Sequence, residues 1–229
     1  MSPGEARDTD VLIVGAHLPD LAGTHPWLGD KLQGAVRGLH VRTKVVGSGG
    51  PVAAAGTARG ILALSPKVVV LIGTCGVYPG AVERRPLDLV VPSHAGLLCH
   101  AVLAQRAAFP GPLQTTLDCD ALVGASLAAC HPRGLLAPVA SPLADTTDDA
   151  LAATVHPATG FVAENLEFFG VASACRAADV PFVGALGVTH VVGRSGRRDW
   201  STFQHDAVTA VASAVVGWLH KGSPGLRHG

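Results

Sequence analysis

The sequence predicts an α/β protein, a single-domain three-layer sandwich around a central, mostly parallel mixed sheet. Three observations carry this. Short apolar runs alternate with helix-length segments along the chain, the pattern of βα units. Several of those runs end in glycine-rich or small polar loops, as at Gly15-Ala16, Gly47-Ser48-Gly49-Gly50 and Gly73-Thr74-Cys75-Gly76. Apolar residues make up 48% of the chain while aromatics are only 4%, so the core has to be packed from Ala, Val and Leu with glycine allowing close approach, which suits a sheet buried on both faces. With 229 residues the chain buries a generous core as one domain, expected over residues 10–220, with tails at 1–9 and 221–229, the second expected to be disordered.

The elements follow in order. Val11-Leu12-Ile13-Val14 reads as a first buried strand, and residues 41–46 as a second that ends in the 47–50 glycines. Pro51 then suits the first turn of a helix to about residue 64, because its missing N–H needs no partner there. Residues 67–72 form the next strand, delivering Gly73 to Gly76 as a loop, and residues 87–91 form a fourth. The signal weakens over 97–133: a strand or short helix, a turn at Pro110-Gly111-Pro112, then a helix over about 121–130. Residues 135–140 read as a strand, 141–159 as loop with a short helix, 164–178 as a helix, 181–188 as a strand and 201–219 as the closing helix.

Composition excludes several functions. Lysine plus arginine balance aspartate plus glutamate at 17 each, which removes the bulk electrostatic argument for nucleic acid or an anionic membrane and leaves a small neutral partner. The longest apolar run, Val68 to Ile72, is far too short to span a bilayer. The five cysteines form no CxxC pair and Met1 precedes a polar segment, so free thiols and a cytoplasmic location are expected. No HExxH, no zinc-spaced Cys/His cluster and no GxSxG occurs; no metal site and no cofactor is implied.

The 47–50 glycines invite a dinucleotide reading, since such a loop offers backbone N–H groups to phosphate. Against it, the third glycine of that motif is replaced, and about 20 residues on, where an acidic group is needed, stand Ser65, Pro66 and Lys67. A tight turn with close helix packing explains the loop better. In Glu164-Asn165-Leu166-Glu167-Phe168-Phe169, capping of a helix suffices for Glu164. Glu167, set among Leu166, Phe168 and Phe169, would be costly to bury without hydrogen-bond donors, and the hydroxyls of a ribose are such donors.

Taken together, Val14-Gly15-Ala16, residues 47–55, Ile72 to Gly76, Asp88 to Val91, Glu164 to Glu167 and residues 181–199 resemble, in order and over nearly the whole length, the nucleoside phosphorylase and nucleosidase superfamily. Within it the Glu-Asn-Leu-Glu segment, followed by Val192-Gly193 and Arg198-Asp199-Trp200, is most similar to the futalosine hydrolases, which release hypoxanthine from a purine nucleoside in an alternative menaquinone pathway. The resemblance implies that Glu167 binds the ribose 2′ and 3′ hydroxyls, that Leu166 lies under the sugar beside Asn165, and that Gly73, Thr74, Cys75 and Gly76 line the ribose and nucleophile site. It implies a homodimer or higher homo-oligomer. Asp20 falls where nucleosidases carry a water-activating glutamate, though a turn or cap beside Pro19 explains it equally.

Phosphorylases of the superfamily hold phosphate with an arginine where this chain has Leu71, so hydrolysis is expected over phosphorolysis. Adenine-releasing relatives end a later strand in Ser-Asp, where this chain has Thr189-His190; His190 suits either donation to a purine N7 or O6 in acid catalysis or plain lining of the pocket. Leu186 stands where nucleosidases carry an arginine that supports the catalytic water. Arg194, Arg197 and Arg198 read as a loop, solvated or pairing with a substrate carboxylate, with Trp200 or Phe203 covering the base and Phe161 either stacking there or packing in the core. The expected activity is phosphate-independent hydrolysis of a non-adenine purine nucleoside through Glu167, Asp20 and His190. The alternatives are a catalytically impaired nucleoside-binding protein of the same fold, and a diverged nucleosidase for a specialised nucleoside.

Overall fold

Residues 9–226 are described by the computed structural model. The elements run β1 (Val11–Gly15), α1 (Leu18–Ala22), α2 (His25–Leu28), β2 (Gln33–Val36), β3 (Leu39–Val45), α3 (Gly50–Leu64), β4 (Val68–Val77) and β5 (Leu89–Leu97). They continue with α4 (His100–Leu103), β6 (Thr116–Asp118), α5 (Ala121–Ala128), β7 (Gly134–Ser141), α6 (Asp149–Thr159), β8 (Ala163–Glu164), α7 (Phe168–Ala177), β9 (Phe182–Val191) and α8 (Gly196–His220).

The layering follows from the two-residue period of the strands. Leu12 and Val14 of β1 and Val69 and Leu71 of β4 join one apolar cluster with Ala53 and Ile61 of α3 and Phe168, Val171 and Cys175 of α7. Their neighbours Val11, Ile13, Val68, Val70 and Ile72 join the opposite cluster with Leu21 and Leu28 and with Val211, Val215 and Trp218 of α8. Helices therefore cover both faces, as the sparing use of aromatics and polar residues in these strands predicts.

The sheet is mixed, with order β2-β3-β1-β4-β8-β7-β5-β6, and five of its nine pairings are parallel among the described residues. β9 pairs with both β4 and β5, so β4, β9, β5, β7 and β8 close into a ring. Local chemistry sets the helix ends. Asp120 Oδ1 accepts from the N–H groups of Leu122 and Val123 to open α5, and Asp148 Oδ1 accepts from Leu151 N–H to open α6.

Several expected boundaries move. Gly73 to Gly76 is not a loop: β4 continues through Val77, paired with β9 and then with β8. Residues 164–167 precede α7, which starts at Phe168, and of the expected arginine loop Arg194 lies in the turn before α8 while Arg197 and Arg198 belong to its first turn. β3 matches the strand expected over 41–46, but its hairpin partner β2 escapes the sequence because Gln33 to Ala35 is exposed and carries no alternating apolar pattern. Within the tail expected over 221–229, residues 221–226 lie against α5 and α8. Trp218 Nε1 and Ser126 Oγ donate to Pro224 O, and Ser223 and Leu226 are buried. Residues 1–8 and 227–229 of the expected tails lie outside the described residues.

Candidate active site

A cavity of about 400 Å³ opens where β1 ends, along the second half of β4, and against β8, β9 and the start of α8. That volume suits a small molecule, and the position at strand ends is the usual one in α/β proteins. Glu167 anchors one end. It is buried, and its Oε1 accepts from Gly49 N–H at 2.8 Å. Here the glycine loop finds its purpose: Gly47 and Gly49 sit at φ +96° and +78°, a backbone open to glycine, and the N–H so presented goes to a carboxylate of the protein. The dinucleotide reading gains nothing from it.

Close packing of α3 and α7 holds that loop in place. A Cβ on Gly170 would lie 2.0 Å from Gly50 O. Asn165, not Glu164, opens α7, because its Oδ1 accepts from the N–H groups of Glu167 and Phe168. Its Nδ2 donates to Thr74 O at 3.0 Å, tying the helix start to β4. Burial pushes the Glu167 carboxyl above its ordinary range, and the nearby charge of Asp20 adds to the rise.

Asp20 lines the cavity and also caps α1, its Oδ2 accepting from His17 N–H at 2.9 Å. Both readings of this residue therefore hold at once. His17, which bonds Ser48 Oγ through Nε2 at 2.7 Å, is a lining residue that the sequence alone does not single out; its position two residues beyond β1 is the available signal.

Thr74, Cys75, Gly76 and Leu166 line the middle of the cavity, and Trp200 closes over it by donating from Nε1 to Thr74 Oγ1 at 3.1 Å. Burial and the neighbouring Glu164 push the Cys75 thiol far up, which keeps it protonated. His190 lines the far end, with its ring against Gly76 and Gly196, where added Cβ atoms would come within 2.5 and 2.8 Å of ring atoms. Burial lowers its pKa, opposed by the charges of Asp145 and Asp199.

Glu164 is no surface cap. It is buried in β8 and lines the cavity, accepting from Tyr78 OH and Thr146 Oγ1, each at 2.7 Å, and from Thr146 N–H at 3.2 Å. Burial pushes its pKa up. Asp145, on the loop after β7, is a further lining carboxylate that the sequence reading missed.

Three expected contacts do not reach the cavity. Phe161 packs in the core over Gly96, in a cluster with Tyr78, Leu98 and Val155, because the absence of a side chain at Gly96 leaves the space its ring fills. Thr189 is fully buried behind His190. Arg198 points to solvent and pairs with Asp199 at 3.1 Å, while Arg197, one residue earlier on the helical turn, lines the cavity instead. Leu71 and Leu186 are buried and apolar, so neither brings a cation.

No family model and no curated protein matches the chain in sequence. In structure it is similar to the 5′-methylthioadenosine/S-adenosylhomocysteine nucleosidase of Neisseria meningitidis in complex with methylthio-immucillin-A. The TM-score is 0.82 at 16% identity, covering 93% of this chain and 99% of that one. The same nucleosidase from Colwellia psychrerythraea 34H, in complex with adenine, gives a TM-score of 0.81 at 20% identity over 96% and 97% of the two chains. A futalosine hydrolase mutant of Helicobacter pylori gives 0.81 at 13% over 93% and 99%. The chain has the nucleosidase fold. That fold, shared by nucleoside phosphorylases and nucleosidases, accounts for the backbone; at these identities the chemistry of the cavity rests on the side chains of this protein.

Proposed function

We propose that the protein is an N-ribosyl hydrolase acting on a non-adenine purine nucleoside, of the kind futalosine represents, without phosphate. The observation that carries the reading is Glu167, a buried carboxylate with one oxygen tied to Gly49 N–H and the cavity before it. Two vicinal hydroxyls are the natural partners of such a group, because they supply the donors its burial calls for.

Cleavage of an N-riboside passes through an oxocarbenium-like sugar. Glu167, with Asp20 beside it, supplies negative charge next to the developing cation. In this reading water attacks C1′ and gives a proton to Asp20, the C1′–N9 electron pair leaves with the base, and His190 protonates the base. Leu71, in place of a phosphate-binding arginine, supports water rather than phosphate as the acceptor. Arg197, at the mouth of the cavity, is suited to a carboxylate carried by a futalosine-like substrate.

A homo-oligomer forms part of the proposal. Leu166 is shared with a second, apolar groove of Pro51, Ala54, Leu97, Leu143 and Phe169, and Val52 and Leu143 are 55% and 76% exposed nearby. The unpaired cysteines support a reducing, cytoplasmic compartment.

The test is incubation with futalosine, inosine, adenosine and methylthioadenosine, with and without phosphate, and chromatography of the free base. Hypoxanthine released without phosphate, and reduced at least about a hundredfold by Glu167→Ala, is the expected result. A strict phosphate requirement, or adenine as the only product, overturns the reading. Leu186 favours one second reading, a nucleoside-binding protein with impaired catalysis, since no guanidinium stands where one would steady the water. Tight binding without turnover selects it.

A further inference from the structure

In the register of β4 and β9, Cys75 pairs with Val188 and Gly76 with His190, which leaves Thr189 as the extra residue of a bulge. Thr189 is fully buried, and its Oγ1 stands 3.2 Å from Cys75 O and 2.8 Å from His190 Nδ1. A hydroxyl has one hydrogen and a carbonyl oxygen only accepts. If the hydroxyl gave its hydrogen to Nδ1, two acceptor oxygens would face each other at the Cys75 contact with no proton between them. One arrangement satisfies both contacts: His190 Nδ1–H donates to Thr189 Oγ1, and Thr189 Oγ1–H donates to Cys75 O.

We propose that Thr189 is a positioning residue that fixes His190 in the Nδ1–H tautomer, so that Nε2, over Gly76 and the cavity, accepts when the ring is neutral and donates only from the imidazolium. The inference rests on the proposed hydrolysis for its catalytic meaning, but the tautomer is a property of the protein alone. In the reaction, imidazolium Nε2–H passes its proton to N7 of the departing purine as the C1′–N9 pair moves into the base. The imidazole left behind then accepts from the new N7–H and holds the product. The charged groups facing His190 are Asp145 from the loop after β7, Glu164 from β8, and Asp199 and Arg197 from α8. Arg198 engages Asp199. The charges of Asp145 and Asp199 favour the imidazolium and offset part of the lowering by burial, which is the larger effect.

The experiment labels the histidines with ¹⁵N and reads ring nitrogen shifts and long-range couplings over a pH series. His190→Gln identifies the resonance among the eleven histidines. The expected result is a neutral His190 with a protonated Nδ1 and a bare Nε2, retained in Thr189→Ser and shifted towards Nε2–H in Thr189→Val. A wild-type Nε2–H tautomer overturns the proposal, and this spectrum decides even if Thr189→Val does not fold. The second readout compares a purine nucleoside with 4-nitrophenyl β-D-ribofuranoside, whose leaving group needs no proton. Thr189→Val is expected to lower purine release at least about tenfold and leave nitrophenolate release within about twofold, with Thr189→Ser restoring the former. Equal loss on both substrates marks Thr189 as merely structural and overturns the proposal. If neither substrate is cleaved by the wild type, the hydrolase reading fails while the spectrum still decides the tautomer.

Discussion

Glu167 and His190 respond to burial in opposite directions, and this sets the pH response of the site. Burial and Asp20 raise the Glu167 pKa above 4.5, and burial lowers that of His190 below 6.5. The proposed chemistry needs an ionised Glu167 and a protonated His190. Activity therefore rises as pH climbs through the first value and falls as it climbs through the second. A bell-shaped profile of base release is predicted; a flat profile up to pH 8 contradicts the role of His190. Glu164 gives a stability prediction. Its folded pKa is raised, so its favourable contribution is complete below 4.5 and is lost as pH rises through the folded value. Glu164→Gln removes that loss, because its amide oxygen can still accept from Thr146 N–H while its NH2 donates to the Tyr78 and Thr146 hydroxyls. Thermal melts should show its Tm gaining a few degrees relative to the wild type between pH 5 and pH 8, and an unchanged difference refutes the assignment. Glu167 was legible in the sequence because a carboxylate among Leu166, Phe168 and Phe169 demands an explanation. Glu164 was not, because capping offered an adequate account and its partners Tyr78 and Thr146 are distant in sequence.

At the level of elements, the site depends on how nearly α3 and α7 touch. Gly170 lets the two backbones meet at Gly50, and the same contact carries Gly49 to Glu167. Gly170→Ala forces the helices apart at a cost of about 1–3 kcal/mol, a fall in Tm of roughly 2–12 °C. Nucleoside binding should weaken along with the melt, since Gly49 N–H moves off the carboxylate. An alanine variant with unchanged Tm would show that the contact is not needed. The strands were readable from apolar runs such as residues 11–14 and 68–72, whose alternate side chains enter the two cores. The continuation of β4 through Gly73 to Gly76 was not, because glycine and threonine signal a loop, and pairing with β8 and β9 overrides that preference. The first turn of α8 was hidden for a related reason: Gly196, Arg197 and Arg198 carry no apolar stripe, and the helix is extended there by the packing of Gly196 under His190.

Across the whole molecule, β9 joins β4 to β5 and brings residues as far apart as Ala16 and Trp200 around one cavity. Alternation of strand and helix was enough to read the α/β class, while closure of the ring depends on pairings between distant strands that local patterns do not encode. The apolar groove beside Leu166 predicts association: sedimentation should give at least twice the 23.2 kDa chain mass, and Leu143→Glu should shift it towards the single chain. A wild-type protein that sediments as one chain contradicts this. That Glu167 holds the ribose diol is tested by calorimetric titration of wild type and Glu167→Ala with a C-nucleoside analogue of inosine, whose glycosidic bond is not hydrolysed, and its 2′-deoxy counterpart. Loss of the 2′ hydroxyl is expected to weaken binding to the wild type at least about tenfold and to change binding to Glu167→Ala by less than about twofold. Equal affinity of the wild type for the two nucleosides would contradict it.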